Sequence, residues 1–133
     1  MATVTIKMDV TDQHCADIMC TALEGGIGYW AQARNIKRCN LPEDAAHGLR
    51  SYESCEIAEA SDDESGYGWK NPLKLNWEVI RNGIERIMLN PEYARMGAGI
   101  LRDIVSDEMG CYIDAGVADC IVQMGLFNEV RYG

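Results

Sequence analysis

The sequence predicts an α+β domain: a small, mostly antiparallel sheet with three to four helices packed against it as a single pair of layers. Three observations carry this. Segments in which apolar and polar residues alternate crowd the first 75 positions. Segments with helical periodicity dominate the remainder. No regular strand–helix–strand alternation runs through the chain, as a parallel sheet would require. With 133 residues, positions 1–133 make one domain that can bury its own core.

TVTIKMDV sets Val4, Ile6, Met8 and Val10 on one side of an extended chain, the pattern of a half-buried strand. Thr11 or Asp12 can then cap a helix. Cys15, Ile18, Met19, Ala22 and Leu23 recur at the spacing of its buried face. Gly25 fits the left-handed position that ends such a helix. Tyr29 to Ile36 reads as a second strand, NLPEDAAHG as a loop or short helical turn, and YESCEIAEA as a third strand. SDDESGYG is a turn by composition, and a short strand follows around Trp69 to Leu75.

Asn76 can cap the next helix, whose stripe is Trp77, Ile80, Ile84, Ile87 and Met88. Gly83 interrupts that helix at a cost of about 1 kcal/mol relative to alanine. Close packing against a neighbour would explain it. Asn90-Pro91 is a stop and a new start. Tyr93, Ile100, Leu101, Ile104 and Val105 outline a further helix, loosened by MGAG. Asp114 can cap the last helix, with Val117, Cys120, Ile121 and Met124 on its buried face, and LFNEVRYG reads as a closing strand. The expected order is β-α-β-β-β-α-α-α-β.

The net charge of −9 is concentrated. Glu43, Asp44, Glu53, Glu56, Glu59, Asp62, Asp63 and Glu64 face a single base, Arg50, within residues 43–64. An acidic excess argues against direct nucleic-acid binding, which needs a basic face. No apolar run of about eighteen residues exists, so no membrane span is expected. MATVTIKMDV lacks the basic start and apolar core of an export signal, so the chain reads as cytoplasmic. Its six cysteines are then expected to be reduced, with Cys15, Cys55 and Cys120 on apolar faces. CxxC and HxxxH are absent, and His14 and His47 have no partners at zinc-like spacing, so neither a metal nor a cofactor is expected.

The stretch EGGIGYW, Glu24 to Trp30, admits two uses. Its glycines can serve only to end a helix and enter a strand, with Tyr29 and Trp30 on opposite faces. Alternatively, they can form a ligand turn. A phosphate cradle is disfavoured, because GGxG is not GxGxxG and these glycines follow a helix, whose C-terminus repels phosphate. Catalysis has few candidates. Glu24 with Asp119 could pair as acid and base if the two ends of the chain meet, although Asp119 reads as lying on a polar helix face. His14, in a first helical turn, reads as facing solvent.

TALEGGIGYW, together with the ending DAGVADCIVQMGLFNEVRYG, resembles a family of small proteins encoded by bacteriophages and prophages. Its members carry a helix ending in a TALEGG-like run and a Tyr-Trp pair near the start. They close on an aspartate-rich helix, a glutamine, an LFGE run and a terminal Tyr-Gly. Here those closing positions are Asp114, Asp119, Gln123, Leu126, Phe127, Glu129, Tyr132 and Gly133, and WEVIRNGIERIM resembles the central helix. The chain departs at Asn128, where glycine is usual, and in a longer 90–112 segment. The resemblance implies an accessory protein in the host cytoplasm, but no catalytic residues.

Two functional expectations follow. One is a non-enzymatic inhibitor of a host defence system such as CRISPR, or of another nucleic-acid-binding host enzyme. Its acidic surface of Glu53, Glu56, Glu59, Asp62, Asp63 and Glu64 would stand in for phosphates. The alternative is a protein that binds or cleaves a nucleotide-like ligand in a pocket built from Glu24, Gly26, Tyr29, Trp30, Asp119 and Gln123. The apolar content also leaves room for self-association into a homo-oligomer.

Overall fold

A computed structural model describes residues 1–44, 48, 50–60, 66 and 68–133. Helix α1 (Asp12–Thr21) runs into one π-helical turn, Ala22–Gly26. Strands β1 (Ala31–Cys39), β2 (Ser51–Glu59) and β3 (Leu73–Asn76) form an antiparallel sheet in the order β1-β2-β3. Helix α2 (Trp77–Leu89), a 3₁₀ turn (Pro91–Tyr93), α3 (Ala94–Ser106) and α4 (Ala115–Phe127) follow. The fold is α+β, as expected. Among the described residues, no helix is long and apolar enough to cross a membrane.

The caps fall where short polar side chains precede apolar periods. Thr11 Oγ1 accepts from the His14 N–H at 3.1 Å, while the Thr11 N–H donates to His14 Nδ1 at 3.1 Å. This is a capping box with histidine in the usual glutamate position. His14 is therefore buried, its Nε2 lying 2.8 Å from an Asp107 oxygen, and does not face solvent as its helix position suggests. Asn76 caps α2 through the Val79 N–H, and Asp114 caps α4 through the Val117 N–H.

Helix α1 packs on β2, and α2 lies between α1, α3 and α4. The α2–α4 crossing is the closest. A Cβ on Gly83 would sit 2.0 Å from the Ile121 carbonyl oxygen, and one on Gly125 would sit 2.2 Å from that of Val79. Two glycines on facing helices thus let the backbones touch, and Gly83 gains from close packing what it loses in helix propensity. Arg86 donates to the Met124 and Gly125 carbonyls at 2.7 and 3.0 Å, satisfying the open end of α4. On α3 the buried side is Gly97, Gly99, Ile100, Asp103 and Ile104, so the expected Val105 is exposed. The buried Asp103 carboxylate accepts the Tyr112 and Ile113 N–H groups, both at 2.8 Å, and holds the α3–α4 connection.

Three expectations need correction. Residues 1–11 carry the alternating pattern but form no strand, because no neighbouring strand among the described residues supplies a ladder. The third sheet strand starts at Leu73, leaving Trp69 and Lys70 in a turn. LFNEVRYG is not a strand either. Helix α4 runs through Phe127 and stops at Asn128, which takes the left-handed conformation (φ 57°) that asparagine tolerates better than other non-glycine residues. Residues 129–133 then follow without regular structure.

Candidate functional site

The EGGIGYW stretch does not end its helix at a left-handed glycine. Gly25 and Gly26 stay within the π turn, and neither has a positive φ. Gly26 is required for space: a Cβ there would lie 2.7 Å from the Ala115 carbonyl oxygen and 3.6 Å from Asp119 Cβ. The close approach sets the following turn against α4. Trp30 is 1% exposed and Tyr29 58% exposed, so one aromatic is in the core and one on the surface, although both precede β1.

The two ends of the chain do meet here. Asp119, only 6% exposed, accepts from the Trp30 indole N–H at 2.8 Å, the Gln123 amide at 2.8 Å and the Tyr29 hydroxyl at 2.6 Å. Gln123, fully buried, also donates to the Tyr132 carbonyl. Its own carbonyl accepts the N–H groups of Arg131 and Tyr132 at 2.8 and 2.9 Å. One side-chain amide thus takes the place of a strand neighbour, which is why the tail needs no sheet. Tyr132 stacks on Trp30 at 4.9 Å, and Phe127 meets both rings edge-on. The Tyr132 hydroxyl donates to Glu59 at 2.8 Å.

Gly26, Tyr29, Trp30, Asp119 and Gln123 thus lie together, in a bonded network and not around an open cavity. Their polar groups satisfy one another, and all but the exposed Tyr29 ring are covered, which is how a buried polar network rigidifies a core. Asp119 does not lie on a polar face, because α4 is enclosed on nearly every side. Nor does Asp119 pair with Glu24, which bonds to other groups. The Tyr29 hydroxyl is pushed up to about 12, first by desolvation and then by its bond to Asp119. Because the neutral form is the one held in the fold, its contribution to stability is full below the ordinary tyrosine value of about 10. It is lost as pH rises from there toward 12. Alkaline titration of the melting temperature should show this loss in the wild type and a shallower one in Tyr29→Phe.

The acidic strand is less bare than its composition implies. Glu56 accepts from Arg34 at 2.9 Å and from Asn35 at 3.1 Å, and these bonds hold its carboxyl below the usual range. Arg34, Glu56 and Lys74 are register partners across the three strands. Glu59 is engaged by Arg131 and Tyr132. Glu53 is exposed and makes no ion pair among the described residues. Asp62, Asp63 and Glu64 lie outside the described residues, as does His47.

Glu24 opens on a different place, a cleft of about 410 Å³ between α1 and the β1–β2 connection. Its Oε2 accepts from Cys20 Sγ at 3.2 Å and its Oε1 from the Tyr52 hydroxyl at 3.2 Å. Arg38 lies over the Tyr52 ring at 4.2 Å and donates to its hydroxyl at 2.9 Å. Arg50 donates to the Arg38 carbonyl at 3.0 Å. Neither arginine forms an ion pair among the described residues. Asp17 lines the same cleft, and burial raises its carboxyl above the ordinary value. Burial, with the bond to Glu24, pushes the Cys20 thiol up to about 11.

Arg38, Arg50 and Tyr52 escape sequence reading, because their grouping depends on the β1–β2 register, which pairs Arg38 with Tyr52. Among the described residues, no group of three or more His, Cys, Asp or Glu side chains is arranged to hold a metal ion. Comparison with protein families, with curated proteins and with solved structures finds no match.

Proposed function

We propose that the protein acts by binding a small ligand in the Glu24 cleft, and that this ligand carries an anionic group beside a hydrogen-bond-donating one. The observation that carries this reading is that two guanidiniums, Arg38 and Arg50, line one cavity with the carboxyls of Asp17 and Glu24, beside Glu43 and an Asp44 already held by the Leu41 N–H and the Ser51 hydroxyl. Arginine recognises phosphate and carboxylate by its planar fork. Carboxylates oppose them as acceptors for amine or ring N–H groups. The cavity falls in the size range of small-molecule sites. A nucleotide meets both requirements, with its phosphate at the arginines and the donors of its base at Glu24 and Asp17. Cys20 is held as a thiol that donates to Glu24, which supports binding over thiolate chemistry. In a phage accessory protein, the matching role is a sponge for a signal nucleotide.

The test is a thermal-shift panel of nucleoside monophosphates, cyclic dinucleotides and free amino acids. A ligand at a hundred times its Kd stabilises by about 2.7 kcal/mol. The expected result is an upward shift for a nucleotide that is lost in Arg50→Met and in Glu24→Gln. No shift from any member, or one unchanged in both variants, overturns the reading.

Inhibition of a host protein through acidic mimicry is the second reading. Exposed Glu53 favours it, and Glu56 and Glu59, already engaged by arginines, weigh against it.

A further inference from the structure

Residues 3–10 combine properties of which a monomer uses only a part. Their apolar residues alternate strictly, yet the segment joins no sheet. Its second half is anchored: Met8 and Val10 pack against the core, and Arg81 holds the end by donating to the Val10 carbonyl at 3.0 Å and to Asp12 at 2.7 Å. Its first half is bare, with Val4 79% and Ile6 66% exposed. Ile6, Met8 and Val10 form one wall of an apolar groove of about 560 Å³ whose other wall is Ile84, Met88 and Leu101.

We propose that this segment pairs antiparallel with the same segment of a second copy, with Ile6 on the two-fold axis. In that register Val4 of each copy lies opposite the partner's Met8, so each exposed half covers the anchored half of the other. The opposite face then sets Thr5 against the partner's Lys7, and Thr3 against the partner's Asp9. The two slips toward the helix are worse. A slip that places Lys7 on the axis turns two ammonium groups toward each other. One that places Met8 there sets Val4 opposite the partner's Asp12. A one-residue slip also sends every apolar side chain to the wrong face. A segment that belongs to no sheet and alternates apolar residues is a ready template for such strand addition. The weak Lys7–Asp9 pair within one chain, at 3.8 Å and highly exposed, does not block it.

Light scattering over a concentration series tests this on the full chain. The wild type should show twice the 14.8 kDa chain mass at the upper concentrations. Ile6→Asp and Val4→Asp should each be monomeric while keeping the wild-type melting temperature of the dilute protein. Amide hydrogen exchange over residues 3–9 should slow with concentration in the wild type alone. A single-chain mass throughout overturns the proposal. So does a dimer that persists in both variants, or one whose formation leaves exchange at 3–9 unchanged.

Discussion

Replacing Asp119 by alanine should destabilise the fold by roughly 3–5 kcal/mol, while Asp119→Asn should cost only about 1 kcal/mol. Alanine strips the partner from the buried Trp30 indole and from one hydrogen of the buried Gln123 amide. Neither group can reach water in the folded state. Asparagine keeps an oxygen where Oδ1 accepts both bonds, and its amide can donate to the Tyr29 hydroxyl, which turns to accept. Chemical denaturation with a two-state fit separates the outcomes. A binding or catalytic aspartate would behave otherwise, losing function with both substitutions at little cost in stability.

Gly83→Ala and Gly125→Ala should each cost about 3 kcal/mol, or about 10 °C in Tm, although alanine is the better helix former. The obstruction at 2.0–2.2 Å is a backbone carbonyl in each case, which cannot rotate away. The α2–α4 pair must separate, loosening the Ile80, Ile84 and Ile121 core between them. The control is Gly28→Ala, whose Cβ would meet nothing within 4 Å. It should melt within about 2 °C of the wild type. Equal melting of all three variants would mean that the helices are not in backbone contact.

What the sequence disclosed follows the range of each interaction. Thr11, Asn76 and Asp114 are legible as caps because a cap is settled within four residues. The stripes of α1 and α2 are legible because one face of each is apolar and the other is not. Gly83 announces a close crossing by being a poor helix residue in a good helix. The terminal strands fail because alternation records how side chains face and contains nothing about which backbone pairs with it. At the C-terminus, the Gln123 side chain supplied those bonds. At the N-terminus, no strand among the described residues did.

The candidate site divides along the same line. Asp119, Gln123, Tyr29 and Trp30 stand out as polar and aromatic residues at opposite ends of the chain, and they do converge. Asp119 reads as facing water, but α4 is covered on nearly every side, so a polar residue on it need not do so. Glu24, grouped with them by sequence proximity, points instead toward Tyr52, Arg38 and the cleft. Glu24 lies in the π turn at Ala22–Gly26, where the rotation per residue departs from that of α1.

The most direct test of the closed EGGIGYW corner is hydrogen exchange at the Trp30 indole N–H, followed by NMR. With that proton bonded to Asp119 and covered by Tyr132, exchange should require opening of the fold and slow with its stability, as for the most protected backbone amides. Fast exchange under native conditions, unaffected by stability, would mean that the corner is open to solvent and would return Trp30, Asp119 and Gln123 to the list of ligand contacts.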